Sequence, residues 1–235
     1  MSPSSFDRAK RNTLLVLPLF VVVAIAFSHE MLPWYSVSIP ATRQSFDPAL
    51  QAFILVWDWQ SLPRDAMHLF DAPIFHPERR TLTYMDHMVG EAIVGAPVHA
   101  ATNSIAAGYN FLFLLATILS AWATYRLARL IGAPRAGAWL CGFLFAFSPY
   151  RMANVDLLNQ LQTQFLPLGL FFALRYLQRW KLIDVVALAG VFVVQVYFGW
   201  YYTFFLATAL GLLLFWALIQ GTWTPPRGHA QALAL

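Results

Sequence analysis

Cysteine is almost missing: Cys141 alone, inside an apolar run of a 235-residue chain, leaves neither a disulfide framework nor a cysteine-built metal site. Charge is nearly as scarce. Asp, Glu, Lys and Arg make up 11% of the residues against 59% hydrophobic ones, a balance that excludes an ordinary soluble domain and points to a bilayer as solvent. No P-loop, GxSxG elbow or dinucleotide fingerprint occurs, and neither an internal repeat nor a low-complexity tract is present. The net charge of +4 does not signal nucleic acid, because the basic residues are scattered singly and in small groups between apolar runs.

What is present is apolar sequence of membrane-crossing length. Between Asp184 and Arg227 no charged residue occurs, and at about 20 residues per span that run can cross a bilayer twice. The expected fold is all-α and polytopic, with about six spans. Residues 1–12 form a short basic N-terminus and 13–28 a first span. An uncleaved span is preferred to a signal peptide, since the bulky "HEMLPWY" follows it instead of a small-residue cleavage site. Residues 29–107 form a long outer loop. Spans 2–6 fall within 108–220, at about 109–130, 136–150, 161–179, 182–199 and 200–220. A tail, 221–235, completes the given sequence, which reads as the N-terminal part of a longer protein.

Orientation follows from Lys and Arg, which favour the cytoplasmic side of short connections. With the N-terminus inside, ten of the fifteen basic residues fall on inner segments. Nine of the eleven acidic residues then fall outside, seven of them between Phe46 and Glu91. The chemistry is therefore expected on the outer face.

In that loop, "PALQAFILVWDWQSL" reads as an interfacial helix, with Asp47 as its N-cap and Pro48 at its first position. Capping alone accounts for Asp47, but a carboxylate oriented by backbone donors also keeps lone pairs for a substrate hydroxyl. The prolines of "APIFHP" mark a turn, where His76 and Glu78 are surface residues or further ligands. "DHMVGEAIVGAPVHAA" reads as a second interfacial segment, bent or ended by Pro97. Within it Asp86, His87 and Glu91 lie close in sequence, and His87 and Glu91, if helical, share one face one turn apart. That spacing suits a divalent metal ion, while a polar face toward water is the simpler account. His68 and His99 are read as interfacial. In "FAFSPYR", Ser148-Pro149 ends a span and leaves Arg151 at the outer interface, either snorkelling to headgroups or binding phosphate through its fork of donors. Gln160 and Gln164 stand one turn apart at the start of the fourth span, facing protein or a wet cavity.

The order of these parts, with the words "FDPALQAFILVWDW", "LFDAPIFHPERRTLTYMDHMVG" and "FAFSPYR", resembles the N-terminal half of GT-C-fold membrane glycosyltransferases. The resemblance covers most of residues 12–220. It implies transfer of a sugar from a polyprenyl-phosphate donor to an acceptor glycan, lipid or protein at the outer face of a bacterial inner membrane. In that family a carboxylate of the first outer loop is the base, a position matched by Asp47. A second acid there binds acceptor or metal, matched by Asp86 with His87 and Glu91 beside it, and Arg151 would take the donor phosphate. The alternatives are a lipid-linked saccharide transporter or flippase component and a non-catalytic membrane assembly protein.

Overall fold

A computed structural model of the chain describes residues 16–41 and 46–221. The expected basic N-terminus at 1–12, the first residues of span 1, Arg43 and most of the 221–235 tail lie outside the described residues. Those described form helices and turns with no strand among them. We number the helices α1 (Leu17–Phe27), α2 (Asp47–Ser61), α3 (Val89–Thr102), α4 (Ile105–Leu130), α5 (Arg135–Ala146), α6 (Pro149–Ala153), α7 (Leu158–Leu161), α8 (Phe165–Arg179), α9 (Leu182–Phe198) and α10 (Trp200–Ile219).

The centre is α4, which packs against α1, α2, α3, α5, α7 and α8. Its interior positions explain why so many neighbours fit. Ala106, Ala107, Gly108, Ala116, Ser120, Ala121, Ala123 and Ala128 are all buried, and small side chains let helix axes approach closely. Ser104 caps the helix by accepting from the Ala107 amide at 3.0 Å, which satisfies one of its free N–H groups. Two buried clusters lie along it. Ile54, Leu55, Leu82, Met88, Ala92, Tyr109 and Leu112, joined by Leu158 and Leu161, pack under the long loop. Phe20, Tyr125, Ala138 and Ala146 join α1 and α5 to the far half of α4, with the Phe20 and Trp139 rings stacked at 6.1 Å.

Six helices (α1, α4, α5, α8, α9 and α10) occur where the six spans are expected. Among the described residues only α4, of 26 residues with an 18-residue stretch of mean hydropathy 1.6, and α10, of 20 residues with one of 2.1, are long and apolar enough to cross a membrane. The others have 11 to 17 residues, and a helix of 11 at ~1.5 Å per residue is about 16 Å long against a core of roughly 30 Å. The loop holds the two helices expected of it. Pro97 does not end α3, which continues to Thr102; its missing N–H costs the bond to Ile93, whose side chain is exposed. Gly199, at φ 148°, separates α9 from α10 in a conformation that side-chain-bearing residues rarely adopt.

The α4–α5 crossing depends on a missing side chain. A Cβ at Gly142 would stand 2.5 Å from the Ala121 carbonyl oxygen and 2.8 Å from the Phe20 ring. Gly142→Ala is expected to cost ~1–3 kcal/mol of stability through overpacking. Gly190→Ala, on the exposed side of α9 with nothing within 4 Å, is expected to gain ~0.5–1 kcal/mol through helix propensity. Thermal unfolding in detergent reads both, and equal effects at the two positions would contradict the close crossing.

Candidate functional site

The first turn of α2 begins at Asp47 itself, with Phe46 at the N-cap and no side-chain cap bond. Asp47 is therefore the first helical residue rather than the cap, and Pro48 stands second. A carboxylate in that first turn is still favoured by the helix dipole. It is exposed and shares a stripe of α2 with buried Gln51, Ile54, Leu55 and Asp58, the i, i+4, i+7, i+8, i+11 spacing of one helix face.

One turn below Asp47, the Gln51 amide is used at both ends. Its Nε2 donates to Asn159 Oδ1 at 3.1 Å, and its Oε1 accepts from the Leu158 backbone amide at 2.6 Å. Asn159 Oδ1 also accepts from the Gln160 amide at 3.0 Å. With its oxygen so engaged, Asn159 turns its Nδ2 to Asp86, donating to Oδ2 at 2.6 Å. Three separate segments, α2, α7 and the turn before α3, are thus joined through side-chain amides into one half-buried carboxylate position.

Behind Asp86 lie two acids that water does not reach. Asp58 and Glu91 are both 0% exposed, and all four of their carboxyl oxygens lack a hydrogen-bond partner among the described residues. The Trp59 indole donates to the Ala92 carbonyl at 2.8 Å, holding this part of α2 against the start of α3. Burial pushes the Asp58 carboxyl up to about 8. Burial also raises Glu91 well above the usual range; its own backbone amide opposes this, and the neighbouring Asp86 and Asp58 add to it. Ionising an unpaired carboxyl in a low-dielectric interior is costly, so both hold their protons near neutral pH.

His87 is not on α3. Met88 takes a left-handed conformation as N-cap and the helix starts at Val89, so His87 and Glu91 do not share a helical face as the sequence pattern implied. His87 Nδ1 instead accepts from the Val89 amide at 3.2 Å. Burial lowers its pKa against the opposing pull of Asp86, which agrees with a neutral ring that carries its proton on Nε2. Among the described residues no three His, Cys, Asp or Glu side chains come together as a metal-ligand set. With Glu91 sealed and the His87 acceptor occupied, Asp86, His87 and Glu91 do not fit a divalent ion as they stand, and no chemical step here is routed through one.

Arg151 lies in the interior, 2% exposed, rather than at the lipid interface. Its Nε donates to the Ala146 carbonyl at 2.9 Å. Its Nη1 donates to the Leu161 carbonyl and to Thr163 Oγ1, each at 2.5 Å, and its Nη2 to Thr117 Oγ1 at 3.3 Å. Burial brings its pKa down to about 10, against the opposing influence of Tyr202, so it stays charged. With four donor contacts made to neutral protein oxygens, this guanidinium joins the ends of α5 and α7 to α4, and a phosphate would have to displace those contacts.

Elsewhere His68 pairs with Asp65 at 2.9 Å on the surface, and His99 stacks on Trp59 at 4.1 Å. His76 and Glu78 are exposed in the turn. Gln160 and Gln164 do not share a helix, because the chain breaks between α7 and α8. Gln160 accepts from Tyr150 and Tyr202, and Gln164 is buried and donates to Gln162 at 2.9 Å. Sequence reasoning overlooked Gln51, Asp58 and Asn159. For Asp58 the signal existed, since it stands seven residues after Gln51 on the apolar stripe. The chain matches no family model, no curated protein and no solved structure.

The protonated state of Asp58 gives a pH dependence of known sign. Its folded pKa, about 8, exceeds its ordinary value of 3.8, so its contribution to stability is complete below about pH 4 and is lost as pH rises through 8. The melting temperature of the wild type is expected to fall between pH 4 and 8 relative to Asp58→Asn, whose amide does not titrate. Parallel profiles for the two proteins would show that Asp58 ionises normally.

Proposed function

We propose that the chain is a multi-pass membrane protein that transfers a sugar from a polyprenyl-phosphate donor to an acceptor at the outer face, in the manner of the GT-C-fold enzymes it resembles in sequence. The observation that carries the reading is the hydrogen-bonded chain from Gln51 through Asn159 to Asp86, with Asp47 exposed one turn before Gln51 on the same stripe of α2. Exposed apolar side chains on α9 and α10 add support, among them Val186, Val193, Phe204, Leu212 and Phe215. So much exposed apolar surface calls for lipid or a partner.

In this reading Asp47 takes the proton from an acceptor hydroxyl as its oxygen attacks the anomeric carbon. The bond from that carbon to the phosphate oxygen breaks, and the lipid phosphate leaves with the electron pair. A phosphate leaving group needs little acid assistance, so one base and an oriented acceptor suffice. Asp86, fixed by Asn159, is the acceptor-orienting carboxylate. Six spans with a cytoplasmic N-terminus complete the proposal, supported by the ten-to-five distribution of basic residues. The observation that favours a second reading, a proton-linked transporter component, is the pair of unpartnered buried carboxyls, Asp58 and Glu91.

General-base help is worth ~10²–10⁴-fold in rate. Asp47→Asn is expected to lower sugar transfer by about that factor while the melting temperature in detergent stays at the wild-type value, and Asp86→Asn is expected to weaken acceptor use. Full transfer in both variants would remove the reading.

Topology is open to a separate test. Met67, 89% exposed in the outer loop, replaced by cysteine in a Cys141→Ser background, is expected to react with an impermeant maleimide in intact cells. Labelling only after the membrane is opened would invert the orientation.

A further inference from the structure

Far from the carboxylates, two arginines share one aromatic ring. Arg126 of α4 and Arg175 of α8 each stand four residues before the end of their helix. Along α4, Arg126 is seventeen residues from Tyr109 of the outer cluster, about 25 Å at ~1.5 Å per residue. The Arg126 guanidinium carbon lies 4.2 Å from the Phe171 ring centroid and 4.7 Å from that of Trp122. The Arg175 guanidinium carbon lies 5.1 Å from Phe171 and 4.9 Å from Phe172. Phe171 is buried, so both cations contact one ring that water scarcely reaches.

The charges do not balance. Asp184, in the first turn of α9 and 1% exposed, pairs with Arg175 through Nε at 2.5 Å and through Nη2. Arg126 is half-buried, yet among the described residues it donates no hydrogen bond and pairs with no carboxylate. Cation–π contact satisfies none of its five N–H donors. A planar guanidinium fork with open donors beside a second guanidinium is suited to phosphate oxygens.

From this geometry we infer that Arg126 and Arg175 bind a phosphate group, and that it is the headgroup phosphate of an anionic membrane lipid. The lipid source is favoured over free phosphate by the surroundings of Asp184. Leu182, Ile183 and Val186 on α9 are 73%, 63% and 57% exposed, so apolar surface for acyl chains begins beside the charged groups. The inference is independent of sugar transfer, since it concerns the other end of the bundle, and a failed transfer assay leaves it standing.

The test uses the full chain in neutral detergent, with phosphatidylglycerol, phosphatidylcholine or inorganic phosphate added. Phosphatidylglycerol is expected to raise the melting temperature more than either alternative, in the wild type and in Arg129→Gln, an exposed neighbour that donates to the Ala133 carbonyl. In Arg126→Gln that gain should fall by more than half. Arg126→Lys should keep only part of it, because a point charge lacks the fork. Native mass spectrometry of the wild type in an equal mixture of the two lipids needs no variant and should show phosphatidylglycerol retained preferentially. Equal retention of both lipids, or an undiminished gain in Arg126→Gln, would overturn the site. A gain from inorganic phosphate as large as that from phosphatidylglycerol would overturn its assignment to a lipid.

Discussion

The buried guanidinium of Arg151 is the contact on which the half of the molecule beneath the long loop depends. Three helix ends meet there, the end of α5, the end of α7 and the start of α8, and they leave carbonyls or hydroxyls that helical bonding does not use. One planar group with donors pointing several ways satisfies oxygens from all of these places and from α4 at once. Lysine offers no such fan of donors. Because α7 is held in this way, its Leu158 amide and Asn159 side chain are in position for Gln51, and through Asn159 for Asp86. The candidate site is thus fixed from behind by a residue that never reaches it.

The second constraint is the contrast between the carboxylates. Asp47 is exposed at the start of a helix, Asp86 is half-buried and bonded by an amide, and Asp58 and Glu91 are sealed without partners. These are three environments for one chemical group, and the sealed one holds Asp58 and Glu91 in the protonated form near neutral pH. A loop holding seven acids therefore need not hold seven charges. That is how so acidic a segment can fold down onto an apolar bundle.

Much of the architecture was legible from the sequence because it rests on local rules. Apolar runs located six helices, two of them long and apolar enough to cross a membrane, and proline and acid at the start of "DPALQ" located α2 to within a residue. The site was legible only in part. Asp47 and Asp86 were singled out from their neighbours in sequence, but the Gln51–Asn159 link spans 108 positions, and no local pattern reports such a pairing. Placing His87 and Glu91 on one helical face failed for a local reason. A left-handed Met88 starts α3 at Val89, three residues after the apolar segment read from Asp86 begins.

By itself the sequence determined that the chain is helical, that its helices are apolar, and that its acids crowd one loop, because these follow from composition and from spacings within a turn or two. Only the tertiary structure decided which of those acids keep a proton and whether Arg151 faces lipid or the interior. The same holds for the match between two arginines and a single carboxylate around Phe171. Each of these depends on solvent exclusion and on partners far away in sequence. The free energy of a charge is set by what surrounds it in space.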